Sequence, residues 1–119
     1  MKSIICGAGD VGKNIAEKLS KEGFEVTVVD ESKEQLKKIE NLDVKTILGA
    51  SSLPSILSSA GAKDCDILIA VTKSDENNMI SCQIGYSLFK IPTKIARIRQ
   101  QDYLKGEWSS LYNKENLPI

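Results

Sequence analysis

The sequence predicts an α/β protein with a doubly wound parallel sheet, and three observations support this fold class. Along the 119 residues, apolar β-branched runs alternate five times with helical stretches, in the order βαβαβαβαβα. The connections are short, which favours adjacent crossovers with helices on both faces of the sheet. The first run leads into Gly7-x-Gly9-x-x-Gly12, a glycine turn that joins the first strand and the first helix of such sheets.

The five predicted strands are runs rich in valine, isoleucine and leucine. They cover residues 3–6, 25–30, 44–48, 66–72 and 94–99. The run over 66–72 is continuously apolar, which is typical of a strand buried on both faces of a parallel sheet. The length of the chain fits one domain with a core of its own.

Each strand is followed by a helical pattern with start or stop signals. After the glycine turn, Val11, Ile15 and Leu19 recur every four residues, and Gly23 is the expected residue after the helix end. The second helix has a capping box of Ser32 and Gln35, and the third begins near Pro54 and ends at Ala60-Gly61. Ser74 is the expected cap of a fourth helix over 75–89. A last helix over 103–112 is predicted from the apolar residues Leu104, Trp108 and Leu111.

Composition and charge exclude several classes of protein. Sixteen basic residues balance sixteen acidic ones, so no basic face for nucleic acid or anionic membranes is indicated. No apolar run approaches the roughly 20 residues of a membrane span. The glycine turn also occupies the region where the apolar part of a signal peptide would lie.

The three cysteines, Cys6, Cys65 and Cys82, form no CxxC pair, and the chain has no histidine. These facts argue against a zinc site. We interpret Cys6 and Cys82 as small buried residues, which fits a reducing cytoplasm.

The end of the chain suggests a larger protein. Residues 115–119 stop where a sixth strand could begin, and no repeat, low-complexity tract or linker precedes them. We therefore expect residues 1–119 to be a single domain excised from a longer chain, lacking its sixth strand or more.

The stretch 7–12 predicts a phosphate-binding turn. Gly7 permits a sharp turn, Gly9 leaves free the space where a pyrophosphate would lie, and Gly12 allows the helix to pack closely on the strand. The N–H groups and the positive dipole end of the helix would face the phosphates. Alone, such a motif is weak evidence for a nucleotide site.

Asp30 strengthens the prediction, because it ends the second strand 18 residues after Gly12. A dinucleotide-binding fold places there the carboxylate that holds the ribose hydroxyls of adenosine, and a helix-capping acid is the alternative. Glu31 adds negative charge, which disfavours the 2′-phosphate of NADP. The pair does not separate NAD from ATP, ADP or S-adenosylmethionine, since all carry a free ribose diol.

Ligands of such sheets bind outside the carboxyl ends of the strands, where the strand order reverses. Thr72 and Lys73 end the fourth strand there, so Thr72 could bond a phosphate or a ribose and Lys73 could add positive charge. A plain turn into the next helix is the alternative. Ser51 and Ser52 face the expected adenine side, or serve only as turn and cap residues.

Arg97 and Arg99 stand two apart in the fifth predicted strand, so both side chains project from one face. An anion or an oligomer contact would explain them, and a solvated sheet edge is the alternative. The chain has no histidine, and no Ser-x-x-x-Lys or Tyr-x-x-x-Lys arrangement falls at the site. Binding is therefore better supported than turnover.

Six segments, with their spacings, resemble one known family across essentially the whole chain. They are GAGDVG at 7–12, VVD at 28–30, AGA at 60–62, DILIAVT at 66–72, SDENNM at 74–79 and KIARIR at 94–99. They are similar to the N-terminal domain of the RCK/KTN (TrkA-N) class, the cytoplasmic regulatory subunits of bacterial Trk potassium uptake systems.

The resemblance implies a Rossmann site for NAD or NADH, and in some members for ATP or ADP. The nucleotide contacts it implies in this chain are Gly7, Ala8, Gly9, Asp10, Val11, Gly12, Asp30, Thr72, Lys73 and Arg97. Relatives that favour ATP tend to carry an arginine where this chain has Asp10. Because an acid there would repel a γ-phosphate, NAD(H) is the expected ligand.

The family assembles into dimers and rings and gates a membrane potassium-translocating subunit. The resemblance therefore implies a homo-oligomer at the inner face of the cell membrane, with a Trk subunit as partner and no enzymatic activity. Arg97 and the helix over 75–89 are candidates for linking ligand to interface. Two alternatives stay open: the cofactor domain of an NAD-dependent dehydrogenase separated from its substrate domain, and a vestigial site that serves assembly alone.

Overall fold

The computed structural model of the chain describes residues 1–113, 116, 117 and 119. Five parallel strands form one sheet, in the order β3-β2-β1-β4-β5. The strands are β1 Lys2–Cys6, β2 Glu25–Asp30, β3 Lys45–Leu48, β4 Ile67–Ala70 and β5 Thr93–Ala96. The α-helices are α1 Asp10–Lys21, α2 Lys33–Lys37, α3 Pro54–Ser59 and α4 Asp75–Ser87. The predicted doubly wound parallel sheet is confirmed.

The core lies on both faces of the sheet, because successive side chains of each strand point to opposite sides. On one face, Ile5 of β1 belongs to a buried cluster with Ala16 of α1 and Leu36 of α2. On the other face, Ile4 clusters with Leu57 of α3 and with Cys82 of α4. The helices therefore cover both faces and leave the carboxyl ends of the strands at one edge.

The first helix ends where the sequence predicts. Gly23 follows the end of α1 with a φ of +90°, the left-handed conformation that suits a glycine after a helix. Strands β4 and β5 are shorter than the predicted 66–72 and 94–99. Arg97 and Arg99 consequently lie beyond the end of β5.

The predicted α-helix over 103–112 is wrong. Two 3₁₀ helices, Gln101–Leu104 and Gly106–Leu111, stand there instead. Lys105 between them is extended, with φ −72° and ψ 131°, and Gly106 has a φ of +32°, so the chain cannot continue as one helix. The side chains of Leu104, Trp108 and Leu111 are exposed rather than packed in the core.

The final residues of the chain pack in part against the preceding 3₁₀ helix. The expectation of a sixth strand concerns residues 115–119, of which Glu115 and Pro118 lie outside the described residues. Leu117 is buried and its N–H donates to the carbonyl of Leu111 at 3.0 Å. Within the described part of the chain, no helix is long and apolar enough to cross a membrane.

Candidate functional site

A cleft of about 660 Å³ lies at the carboxyl edge of the sheet, where the strand order reverses between β1 and β4. Eight of the predicted site residues line it: Gly7, Gly9, Asp10, Val11, Asp30, Thr72, Lys73 and Arg97. The other two, Ala8 and Gly12, are buried in the turn behind it. Of the remaining candidates, Ser51 and Arg99 also line the cleft.

The absence of a side chain has a different structural consequence at each of the three glycines of the turn. Gly7 has a φ of +111°, and a Cβ there would lie 2.9 Å from the carbonyl oxygen of Val71. A Cβ on Gly12 would overlap the carbonyl oxygen of Gly7, so α1 packs directly on the turn. A Cβ on Gly9 would meet nothing within 4 Å, and its position opens on the cleft. Of the three glycines, Gly9 is therefore the one whose missing side chain leaves open space in the cleft.

Asp30 binds the glycine turn as well as facing the cleft. Its Oδ2 accepts a hydrogen bond from the N–H of Ala8 at 2.7 Å, and its Oδ1 accepts one from the N–H of Ser32 at 2.7 Å. Each carboxylate oxygen keeps a lone pair for a ribose hydroxyl. The contact with Ala8 was missed by sequence reasoning, because nothing in the spacing indicates it.

The capping box at α2 forms only in half. Ser32 Oγ accepts from the N–H of Gln35 at 3.2 Å, as predicted. The N–H of Ser32, however, donates to Asp30 rather than to the side chain of Gln35. A charged carboxylate is a stronger acceptor than an amide oxygen, which explains why the N–H of Ser32 bonds to Asp30 and not to Gln35.

At the end of β4, Thr72 is held by a residue of α4. Its hydroxyl donates to Oδ1 of Asn78 at 2.6 Å and accepts from the N–H of Ser74 at 3.2 Å. Because its one proton is used within the protein, this hydroxyl can only accept a bond from a ligand. It therefore suits a ribose hydroxyl better than a phosphate oxygen.

Both arginines after β5 reach back to β4. Nη2 of Arg97 donates to the carbonyls of Val71 and Thr72, at 3.2 and 3.1 Å. Its Nε is buried and has no hydrogen-bond partner in the described structure. Nη2 of Arg99 donates to the carbonyl of Lys73 at 3.3 Å.

An acid of α4 fixes the chain that carries these arginines. The carboxylate of Asp75 accepts from the N–H of Arg99 at 2.9 Å and from the N–H of Gln100 at 2.7 Å. These two backbone donors hold the pKa of Asp75 below its ordinary value. The segment after β5 is thereby anchored to the start of α4.

The cleft is electrostatically polarised. Asp10, Asp30 and Glu31 line its β1–β2 side, whereas its β4–β5 side carries the cations of Lys73, Arg97 and Arg99. A ligand with a ribose diol at one end and anionic groups toward the other complements this distribution.

The cysteines take no part in the cleft. Cys6 and Cys82 are fully buried, as predicted, and Cys65 is nearly so. Burial raises the pKa of Cys6 and Cys82 to about 12 and that of Cys65 to about 11. Among the described residues, no group of three or more potential ligands could hold a metal ion.

Sequence reasoning missed two residues of α4 that hold the lining segments of the cleft, Asn78 and Asp75. Asparagine is a poor residue for a helix interior, so Asn78 in the second turn of a predicted helix was a usable signal. Asp75 looked like an ordinary first-turn acid that favours the helix dipole, and its bonds to Arg99 and Gln100 depend on the fold.

The relatives of this chain are proteins of potassium uptake. It is 48% identical over 120 residues to a protein of Azorhizobium caulinodans and 49% identical to one of Haemophilus influenzae, both called "Trk system potassium uptake protein TrkA". Each alignment covers 100% of this chain and 26% of the relative. The chain thus spans about a quarter of the length of the curated relatives it matches.

Solved structures share the fold. The TrkA-N domain of inner membrane protein ybaL from Escherichia coli superposes with a TM-score of 0.77 at 20% identity, covering 85% of this chain and 75% of that one. A structure described as the GsuK channel bound to NAD gives a TM-score of 0.69 at 20% identity, covering 87% of this chain and 19% of that one. The model of the TrkA-N domain matches residues 3–108. With that match over most of its length, the chain belongs to the TrkA-N domain family.

Proposed function

We propose that residues 1–119 are the NAD(H)-binding regulatory domain of a longer protein that controls a bacterial Trk-type potassium channel or transporter. The observation that carries the proposal is that the open position at Gly9, the acid Asp30 and the cation Arg97 all line one cleft. The two relatives named for Trk potassium uptake support the transport role.

The residues of the cleft fit a dinucleotide from end to end. Asp30 would hold the adenosine ribose, and the N–H groups at the start of α1 beside Gly9 would face the pyrophosphate. The second half of the ligand would then lie toward Thr72 and Arg97. The cation of Arg97, which lines the cleft at that end, would face ligand oxygens there.

The acids of the cleft support NAD(H) over other nucleotides. Glu31 beside Asp30 would repel the 2′-phosphate of NADP. Asp10, exposed at the first position of α1, would repel a γ-phosphate and so disfavour ATP. ADP and ATP would use the same adenosine and phosphate positions, and they remain the nearest competitors.

The proposed role is regulation without catalysis. The cleft presents backbone amides, hydroxyls, carboxylates and guanidinium groups, and the chain has no histidine. NAD and NADH would favour different arrangements of domains in a homo-oligomer. That assembly, a dimer or a ring, would act on a membrane potassium-translocating Trk subunit from the cytoplasmic face, with no nucleic acid involved.

Calorimetric titration with NADH, NAD, NADPH, ATP and ADP tests the ligand. We expect NAD(H) to bind, NADPH to bind weakly or not at all, and Asp30→Ala to lower NADH affinity at least about tenfold, the equivalent of one charged hydrogen bond. Glu25→Ala, which removes an exposed acid from the other end of β2, is the matched control and retains affinity.

Three results would count against the proposal. Equal affinity for NADPH and NADH would contradict the role given to Asp30 and Glu31. Much tighter binding of ATP than of NADH would contradict the role of Asp10. Absence of binding by every nucleotide would favour a domain that serves assembly alone.

A further inference from the structure

We propose that Asn78 is the positioning residue of the cleft. Its carboxamide ties the end of β4 to the end of β5, and so places Thr72 and Arg97 against the second half of a bound dinucleotide. The inference rests on the proposed function, since it names the residue that shapes one half of that site.

All hydrogen-bonding groups of the fully buried Asn78 side chain are engaged. Oδ1 accepts from the N–H of Thr72 at 2.9 Å and from its hydroxyl at 2.6 Å. Nδ2 donates to the carbonyl of Thr72 at 3.2 Å and to that of Arg97 at 2.9 Å. The partners dictate which end is which, because a backbone N–H only donates and a carbonyl only accepts.

The carbonyl of Thr72 lies at the centre of this arrangement. It accepts from Nδ2 of Asn78 and from Nη2 of Arg97 at 3.1 Å, which fills both of its lone pairs. Asn78 therefore orients the peptide to which the guanidinium of Arg97 is bonded, and it holds the backbone of Arg97 as well. Asn78 thus binds three groups of Thr72 and the backbone carbonyl of Arg97, and these bonds fix the relative position of the two residues.

The Asp30 side of the cleft receives no hydrogen bond from the Asn78 side chain, whose four described bonds all go to Thr72 and Arg97. On that side, Asp30 accepts from the N–H groups of Ala8 and Ser32. Substitution of Asn78 should consequently weaken ligands that extend to Thr72 and Arg97, and spare ligands confined to the Asp30 side. A general loss of structure would weaken both kinds of ligand equally.

The test compares NAD with AMP, which has the adenosine and one phosphate but no second half. We expect Asn78→Ala and Asn78→Asp each to lower NAD affinity at least about tenfold while AMP affinity changes less than about twofold. Asn78→Asp keeps the shape and the acceptor oxygen of the side chain and loses both N–H donors. If Asn78→Ala does not fold, the NAD and AMP affinities of Asn78→Asp therefore test the positioning role. Cys82→Ala, which removes a buried core side chain from the same helix outside the cleft lining, is the control for core destabilisation and leaves both affinities within about twofold.

Two results would overturn the inference: an unchanged NAD affinity in the folded Asn78 variants, or an equal loss of NAD and AMP. If the wild-type chain binds neither nucleotide, the proposed function fails and amide hydrogen exchange decides the positioning role alone. In that case, exchange at the Thr72 N–H should be at least about tenfold faster in Asn78→Ala and remain slow in Asn78→Asp, which retains the acceptor. Equal exchange rates in the wild type and Asn78→Ala would overturn the inference on its own terms.

Discussion

At the scale of single residues, two glycines of the turn before α1 have different roles: one is required for folding and the other is proposed to leave space for the ligand. Gly12 is needed because α1 packs on the carbonyl of Gly7, whereas Gly9 faces open space. The backbone of Gly9 is extended, with φ −73°, a conformation that any residue adopts. The two positions therefore allow a paired test.

We predict that Gly12→Ala lowers the free energy of unfolding by about 1–3 kcal/mol or more, since the added methyl group overlaps backbone that cannot move aside. Gly9→Ala should change that free energy by less than about 1 kcal/mol, yet lower NADH affinity by filling the ligand space. Urea denaturation and calorimetric titration of both variants measure the two quantities. Normal NADH binding by a stable Gly9→Ala variant would refute the placement of the pyrophosphate.

The sequence predicts residue types at strand ends better than it predicts their partners. Gly7, Gly9 and Asp30 could be located because a glycine motif followed by an acid has a fixed place in this fold. The bond from Ala8 to Asp30, and the four bonds of Asn78, join residues on different elements. Such contacts depend on how the elements pack, so spacing along the chain does not indicate them.

At the scale of elements, Asp75 couples α4 to the segment after β5. The pKa of its carboxyl lies below the ordinary value of 3.8, chiefly because the N–H groups of Arg99 and Gln100 favour the charged form. A lowered pKa in the folded state means that the stabilisation is present above pH about 4 and is lost as the pH falls through the lower folded value.

We predict that Asp75→Asn lowers the free energy of unfolding by about 1.5–3 kcal/mol at neutral pH, because an amide nitrogen or a weaker oxygen would face two N–H donors. The difference between the wild type and Asp75→Asn should be constant from pH 7 to about pH 5 and shrink below pH about 4. Urea titrations at several pH values measure it. Asp102→Asn, which removes an exposed acid of the same segment, is the control and shows no comparable loss at neutral pH. A difference that stays constant down to pH about 2 would contradict the assignment.

Elements with a strong apolar pattern were predictable, and the last one was not. The central strands β1, β2 and β4 could be located because they bury most of their side chains in the sheet. Leu104, Trp108 and Leu111 have a helix-like spacing, but Lys105 and Gly106 interrupt the backbone between the two 3₁₀ helices. The polar contacts from Tyr103 to Glu76 and from Tyr112 to Met79 hold this segment on α4 instead.

At the scale of the whole molecule, the strand order follows from the sequence and creates the site. Short connections impose right-handed crossovers, and two such series running outward from β1 give the order β3-β2-β1-β4-β5. Helices leave β1 and β4 toward opposite faces, so the edge between them stays open. The position of the cleft was thus implied by topology, while its charge distribution needed the structure.

The reactivity of the buried thiols tests whether the core around them unfolds as one cooperative unit. Cys6 ends β1, Cys65 precedes β4 and Cys82 lies on α4, and all three belong to the core cluster on the face of the sheet that α3 and α4 cover. Burial and raised pKa values keep all three thiols from forming reactive thiolates in the folded state. At pH 8 they should therefore react with a disulfide reagent only through unfolding, at three equal rates, and react at once in denaturant.

A ligand that binds only the folded chain must slow this reaction. At an NADH concentration 100 times its dissociation constant, we expect the labelling rate of every thiol to fall by about two orders of magnitude, the equivalent of about 2.7 kcal/mol. Mass spectrometry of the labelled chain, with and without NADH, gives the three rates. Protection of Cys6 alone, at the end of β1 beside the glycine turn, would show a local effect. Equal protection of all three would show that NADH binding at the cleft stabilises the core under α3 and α4 as one unit.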